Sequence, residues 1–129
     1  MKKLLIIPVL ASICLLGGCS LFVQEFDNNE FKLIVDMAVQ TEILHESCGD
    51  IDAENIKQLQ VTSRTFELYT KHTPSNVDVA TVATILREDV DQLSRAVSKE
   101  YSKIYCDKKT ELMLKKINTI LPIIPTKRR

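Results

Sequence analysis

The clearest pattern in the chain is an apolar repeat with helical spacing between residues 79 and 104. Its members follow one another at intervals of 3, 4, 4, 3, 4, 4 and 3: Val79, Val82, Leu86, Val90, Leu93, Val97, Tyr101 and Ile104. Since an α-helix turns once in about 3.6 residues, these intervals place the side chains on one face. The repeat predicts a long amphipathic helix whose apolar face packs against partner helices.

Two shorter helices are predicted before it. The first begins at an Asn28 or Asn29 cap and ends at Cys48-Gly49, with the stripe Phe31, Leu33, Ile34, Met37, Ala38, Thr41 and Leu44. The second begins at an Asp52 cap and runs to about His72, with the stripe Ile56, Leu59, Phe66 and Tyr69. Asparagine and aspartate suit these caps because their side chains accept hydrogen bonds from the first free amides of a helix. Thr62 and Ser63 interrupt the second stripe, so it is the least regular of the three.

Helix breakers define the domain. Between Asn28 and Leu121, glycine and proline occur only at Gly49 and Pro74, which is typical of helices joined by short turns. After Cys106 a helical pattern continues to Ile120, either as a fourth helix or as an extension of the third. The fold class is therefore all-α, a three- or four-helix bundle over residues 30–121. Pro122 ends it, and residues 122–129 are expected to form a flexible basic tail.

Composition excludes several classes. The chain has 129 residues, of which 45% are hydrophobic and only 5% aromatic, with three glycines and no tryptophan. Such a chain supports one small core, and a dinucleotide-binding fold or a strand-rich barrel is disfavoured. The formal net charge of zero argues against a general nucleic-acid binder.

The N-terminus has the pattern of a secretory leader. Lys2 and Lys3 precede an apolar run from Leu4 to Leu16, interrupted only by Ser12. The run is too short to cross a bilayer, which requires about 20 residues. Its length suits the apolar region of a signal peptide.

The run ends in Leu16-Gly17-Gly18-Cys19, which resembles the lipobox of bacterial lipoproteins. The resemblance implies that residues 1–18 are a signal peptide and that cleavage leaves Cys19 as the new N-terminus. It further implies a diacylglycerol thioether and an amide-linked fatty acid on Cys19, with residues 19–29 as the lipidated tether. Ser20 stands where an aspartate tends to retain such proteins at the inner membrane, so the implied location is the outer membrane, facing the periplasm.

With Cys14 in the leader and Cys19 lipidated, two cysteines remain, Cys48 and Cys106. Because the implied compartment forms disulfides, we expect these two to pair within the chain. Acidic residues around Cys48 and basic residues after Cys106 favour the same pairing. The alternatives are two free thiols or a disulfide to another chain.

The remaining candidates for chemistry are weak. His45 and Cys48 have a spacing that suits a metal, with Cys106 as a third ligand, but a disulfide explains the sulfurs better, so no metal or cofactor is expected beyond the lipid on Cys19. Glu88, Asp89 and Asp91 alternate with arginines opposite the apolar repeat, which predicts a solvated face. No nucleophile elbow, phosphate loop or His-Glu-x-x-His motif occurs. The sequence therefore predicts a protein that is not an enzyme.

The basic end of the chain is a candidate contact for an anionic surface or an acidic partner, through Lys127, Arg128 and Arg129, with Lys115 and Lys116 before them. The alternative is that these residues only complement a helix C-terminus and keep the tail soluble.

A second resemblance is to small lipoproteins encoded by tailed bacteriophages. It is carried by the Asp/Asn-rich lead Phe26–Phe31 and by Tyr105-Cys106. It implies an interaction module that binds or blocks an envelope protein, as lipoproteins that block superinfection do. Pilotins, which escort envelope proteins, are similarly small, helical and disulfide-bonded. Neither a nucleic acid nor a small-molecule substrate is implied. The alternative is an envelope-structural or lysis lipoprotein of the outer spanin type, against which the low proline content counts.

Overall fold

The computed structural model describes residues 28–73 and 77–126. Five helices cover them: α1 (Asn28–Glu46), α2 (Ala53–His72), α3 (Val77–Val97), α4 (Lys103–Ile120) and the short α5 (Ile123–Thr126). The described part of the chain contains no strand. The first four helices form a bundle, which confirms the all-α prediction and selects four helices over three.

The four long helices pack in a closed ring. Each packs against the next along the chain, and α1 also packs against α4. The end of α1 lies beside the start of α4, where Cys48 and Cys106 have their Cα atoms 5.6 Å apart. These two helices are therefore antiparallel, and the start of α1 and the end of α4 lie at the opposite end of the bundle.

Local capping explains where the helices begin. The Asp52 carboxylate accepts a hydrogen bond from the Glu54 amide at 3.0 Å, as the sequence predicts for α2. Ser102 caps α4 in the same way, since its hydroxyl accepts from the Tyr105 amide at 3.1 Å. Gly49 adopts φ +126° between α1 and α2, a conformation that side chains with a Cβ rarely adopt.

The predicted long third helix is wrong in its last part. α3 ends at Val97, and residues 98–102 separate it from α4. Ile104, the last member of the apolar repeat, is 67% exposed. The repeat crosses this break by coincidence of spacing, because the Ser102 cap starts a new helix with its own buried face. The break also makes α3 nearly equal in length to α2, at 21 and 20 residues.

The core lies along the axis of the bundle. Its largest fully buried side chains come from every helix: Ile34, Met37 and Leu44; Leu59 and Phe66; Val79, Leu86, Val90 and Leu93; Met113 and Ile117; and Ile124. On α2 the core face includes Ser63 and Thr70, whose hydroxyls donate to the backbone carbonyls of Gln60 and Glu67 at 3.0 Å each. Because these hydroxyls are satisfied within the helix, the polar interruption of the stripe is compatible with burial.

The C-terminal boundary also differs from the prediction. The chain continues beyond Pro122 into α5, and Ile124 is only 1% exposed. Pro122 ends α4, and the turn that follows packs against the core. Burying the apolar side chain of Ile124 is more favourable than leaving it in water. The prediction of a flexible tail from residue 122 is thus wrong for residues 122–124. Lys127, Arg128 and Arg129 lie outside the described residues.

Candidate functional site

The predicted disulfide between Cys48 and Cys106 is present and joins α1 to α4. Cys48 lies in the turn after α1 and Cys106 in the first turn of α4, and the two residues are 5% and 0% exposed. The Cα separation of 5.6 Å lies in the usual range for disulfides. Of the three alternatives left by the sequence, the structure shows the bridge within the chain.

A hydrogen-bonded histidine lies against the bridge. His45 Nδ1 is 2.7 Å from Thr110 Oγ1, and the same hydroxyl lies 2.8 Å from the Cys106 carbonyl oxygen. A hydroxyl has one hydrogen and a carbonyl can only accept, so Thr110 donates to the carbonyl and accepts from His45 Nδ1–H. We assign the tautomer of His45 on this basis, with its hydrogen on Nδ1.

The carboxylate of Asp107 also lies beside the disulfide and His45. Ligand atoms of His45, Cys48 and Asp107 all lie within 4.8 Å of one another. Lys103 donates to Asp107 Oδ2 at 2.8 Å from the preceding turn of α4. The sequence pattern indicated His45, Cys48 and Cys106 as neighbours but not Asp107, although its position directly after Cys106 was a usable sign. We call His45, Cys48, Cys106 and Asp107 the α1–α4 corner.

The predicted solvated face of α3 is wrong for Asp89. The Asp89 side chain is only 10% exposed, and its Oδ1 lies 2.6 Å from Lys109 Nζ while Lys116 binds Oδ2. Lys109 also donates to Gln92 at 2.7 Å. The physical reason is the break after α3: because α4 is a separate helix, it packs on this flank and covers Asp89. Lys109 and Lys116, both on α4, thus pair with α3.

A second charged network joins α2 to α3. Arg87 Nε lies 2.8 Å from Glu67 Oε2, and Arg87 Nη1 lies 2.7 Å from Asp91 Oδ2. Burial would raise the pKa of Glu67, but hydrogen bonds from Lys71 and Thr84 and the charge of Arg87 outweigh it, so the pKa lies below its ordinary value. The same balance lowers the pKa of Asp91, where hydrogen bonds from Gln60 and Arg87 outweigh burial.

One exposed surface of α4 combines apolar and basic side chains, with the exposed residue Glu111 among them. On α4, Ile104 and Leu112 are 67% and 52% exposed, and the exposed residues Lys108 and Lys115 follow them at intervals of four and three residues. These spacings place all four side chains on one side of the helix, away from the core. We call Ile104, Lys108, Leu112 and Lys115 the α4 outer face. The sequence did not predict this surface, because the apolar repeat placed Ile104 on a buried face.

Two predicted contact sites lie outside the described residues. Cys19 precedes them, and the basic tail Lys127–Arg129 follows them, so lipidation and the anionic contact stay predictions. None of the helices in residues 28–73 and 77–126 is long and apolar enough to cross a membrane.

Comparison with known proteins gives no relative. No family model, no curated protein and no solved structure matches the chain.

Proposed function

We propose that the chain is a membrane-anchored lipoprotein whose helical bundle acts, without catalysis, as an interaction module on the periplasmic face of the outer membrane. The observation that carries the proposal is Leu16-Gly17-Gly18-Cys19 directly after a short apolar run. Acylation of Cys19 by two or more chains gives stable anchoring, since each buried CH₂ contributes about 0.8 kcal/mol. Ser20 favours the outer membrane by the resemblance to lipoproteins.

The disulfide supports an extracytoplasmic location. Stable disulfides form in oxidising compartments such as the periplasm and are rare where glutathione and thioredoxin keep thiols reduced. Cys48 and Cys106 are both buried and bonded to each other within the chain. A cross-linked bundle of this size therefore fits the compartment that the leader implies.

The tether determines how far the bundle reaches. Eight residues separate Cys19 from Asn28, where α1 begins. Nine Cα–Cα steps of about 3.3–3.6 Å therefore join Cys19 to Asn28 and span at most about 32 Å. The start of α1 thus stays within about one bilayer thickness of the acyl chains, where the bundle meets other envelope proteins.

The α4 outer face is the surface we assign to the partner. Large exposed apolar side chains flanked by two lysines and one glutamate, Glu111, favour a partner groove that is apolar at its centre and mainly acidic at its rim. Lys108 and Lys115 are exposed, whereas Lys109 and Lys116 are held by Asp89. The partner we propose is an envelope protein that the bundle binds or blocks, in the manner of superinfection-blocking lipoproteins or pilotins.

Metabolic labelling with palmitate tests the anchor. We expect label on the wild-type chain and on Cys14→Ser, which keeps the lipobox cysteine, but none on Cys19→Ser. The wild type should fractionate with outer membranes. Equal labelling of Cys19→Ser would refute the anchor.

Photo-crosslinking in the lipidated protein tests the surface. A crosslinker at Ile104 or Leu112 should capture one envelope protein, identified by mass spectrometry, whereas a crosslinker at Val61, which is 59% exposed on α2, should not. Ile104→Glu with Leu112→Glu should abolish the captured complex while leaving palmitate labelling unchanged. Equal capture from Val61, or capture that survives the double substitution, would show that the α4 outer face is not the binding surface.

A further inference from the structure

We propose that the reduced form of this protein binds one Zn²⁺ ion at the α1–α4 corner, through Cys48, Cys106, His45 and Asp107. The same corner is then held either by the disulfide or by the metal, and never by both. This inference is independent of the lipid anchor and of the α4 outer face, because all four ligands belong to the described bundle.

The donor set suits zinc. Zinc binds cysteine thiolates, histidine nitrogens and carboxylate oxygens, and its structural sites are tetrahedral with four protein ligands. His45 and Cys48 come from the end of α1 and the following turn, and Cys106 and Asp107 from the first turn of α4. Each helix end therefore supplies two ligands, which is the arrangement that lets one ion clamp two elements together.

Three of the four proposed ligand groups already lie close together. Ligand atoms of His45, Cys48 and Asp107 already lie within 4.8 Å of one another. Bonds of about 2.0–2.3 Å to a tetrahedral zinc place neighbouring ligand atoms about 3.3–3.8 Å apart. The three groups thus need to approach by about an ångström, while the two sulfurs move apart once their bond is broken.

The surroundings support the ligands. Thr110 accepts a hydrogen bond from His45 Nδ1, the kind of outer contact that orients ligating histidines. Lys103 binds Asp107 Oδ2, but its side chain is 68% exposed and Asp107 keeps a second oxygen for the metal. Two thiolates and one carboxylate would leave a zinc complex with a net charge of about −1, which Lys103 balances.

The redox step is a thiol–disulfide exchange. A dithiol reductant gives two electrons and two protons to the bond between Cys48 and Cys106, and itself becomes a disulfide. The two thiols of the protein then lose their protons to the solvent as Zn²⁺ binds. Reoxidation by a disulfide-bonded partner reverses both steps and releases the ion, so metal release reports closure of the bridge.

The test uses the full chain in detergent, with Cys14→Ser and Cys19→Ser so that only two thiols can bind metal. The protein is reduced without oxygen and titrated with Co²⁺, then with Zn²⁺. We expect one Co²⁺ per chain, with the visible bands of a tetrahedral ion and a thiolate charge-transfer band, and displacement by Zn²⁺. The oxidised protein should show neither band.

Two substitutions identify the other ligands. His45→Ala and Asp107→Asn should each weaken Zn²⁺ binding by roughly tenfold or more. His72→Ala and Asp50→Asn are the matched controls, on a histidine and an exposed aspartate outside the corner, and should bind as tightly as the parent. Equal affinity of His45→Ala or Asp107→Asn with the parent would overturn the four-ligand site.

A folding measurement covers the case in which reduction unfolds the bundle. Zn²⁺ should then restore helical circular dichroism to the reduced protein, and should raise its thermal midpoint where it is still folded. The oxidised protein should not respond. Absence of both the charge-transfer band and any zinc-dependent gain in helicity or midpoint would reject the proposal.

Discussion

Lys109 on α4 places its Nζ 2.6 Å from Oδ1 of Asp89 on α3, and both side chains are almost buried, at 15% and 10% exposure. Lys116, two turns further along α4, binds the other oxygen of the same carboxylate. One aspartate therefore holds α4 at two points. Removing the carboxylate leaves two cations beside the core without their counter-charge, which costs more than the pair itself contributes.

Asp89→Asn should therefore lower the free energy of unfolding by about 3 kcal/mol. The neighbouring Glu88→Gln is the matched control, since Glu88 is 57% exposed and should change stability by less than about 1 kcal/mol. Urea unfolding of the detergent-solubilised full chain, followed by circular dichroism, measures both. A loss for Asp89→Asn no larger than for Glu88→Gln would show that these ion pairs do not hold α4 in place.

Adjacent isoleucines test whether α5 belongs to the bundle. Ile124 is 1% exposed and Ile123 is 39% exposed, so the same substitution probes burial at two consecutive positions. Ile124→Ala should cost about 2–4 kcal/mol through lost burial and the cavity left behind, and Ile123→Ala less than about 1 kcal/mol. The urea midpoints of the two variants measure this difference. Equal, small effects would place residue 124 in a tail, as the sequence alone predicts.

Asp89 and α5 show which features of the fold can be predicted from the sequence and which cannot. Spacing alone located the buried faces of α1 and α3, and Asp52 and Gly49 marked the turn between α1 and α2, because caps and stripes are local properties. The cysteine pairing followed from counting the thiols that remained. The burial of Asp89 and Ile124 depends instead on where α4 and α5 pack, which is a tertiary property. Asp107 was missed although it directly follows Cys106, because the predicted pairing with Cys48 was not extended to the neighbours of the two cysteines.

The α2–α3 network predicts acid sensitivity. The pKa values of Glu67 and Asp91 are both lowered in the folded protein, so each carboxylate contributes stability above its unfolded pKa, about 4. That contribution is lost as the pH falls through the lower folded values. We therefore expect the free energy of unfolding to decrease steadily below about pH 4.5.

Glu67→Gln with Asp91→Asn should remove this part of the pH dependence. The double variant should be less stable than wild type at pH 7, by about 1–3 kcal/mol, and the difference should narrow as the pH falls below about 4. Urea midpoints across the acid range give the two curves. Glu111→Gln is the control, because Glu111 is an exposed residue of α4. Its urea midpoints should change with pH in parallel with those of the wild type. A difference that stays constant with pH would show that the network carries no linked protons.

The disulfide between Cys48 and Cys106 should contribute strongly to the free energy of unfolding. It closes a loop with a sequence separation of 58 residues, for which the chain-entropy relation gives about 4 kcal/mol. Cys48→Ser with Cys106→Ser should lose about this amount, a large part of the roughly 5–15 kcal/mol that holds a domain together. Urea unfolding with and without a reductant measures it: reduction should destabilise the wild type and leave the double variant unchanged. The comparison is made in the presence of a metal chelator, so that the zinc binding proposed above for the reduced protein cannot offset the loss of the bridge. A wild type that reduction leaves equally stable would mean that packing of α1 on α4 alone holds this corner closed.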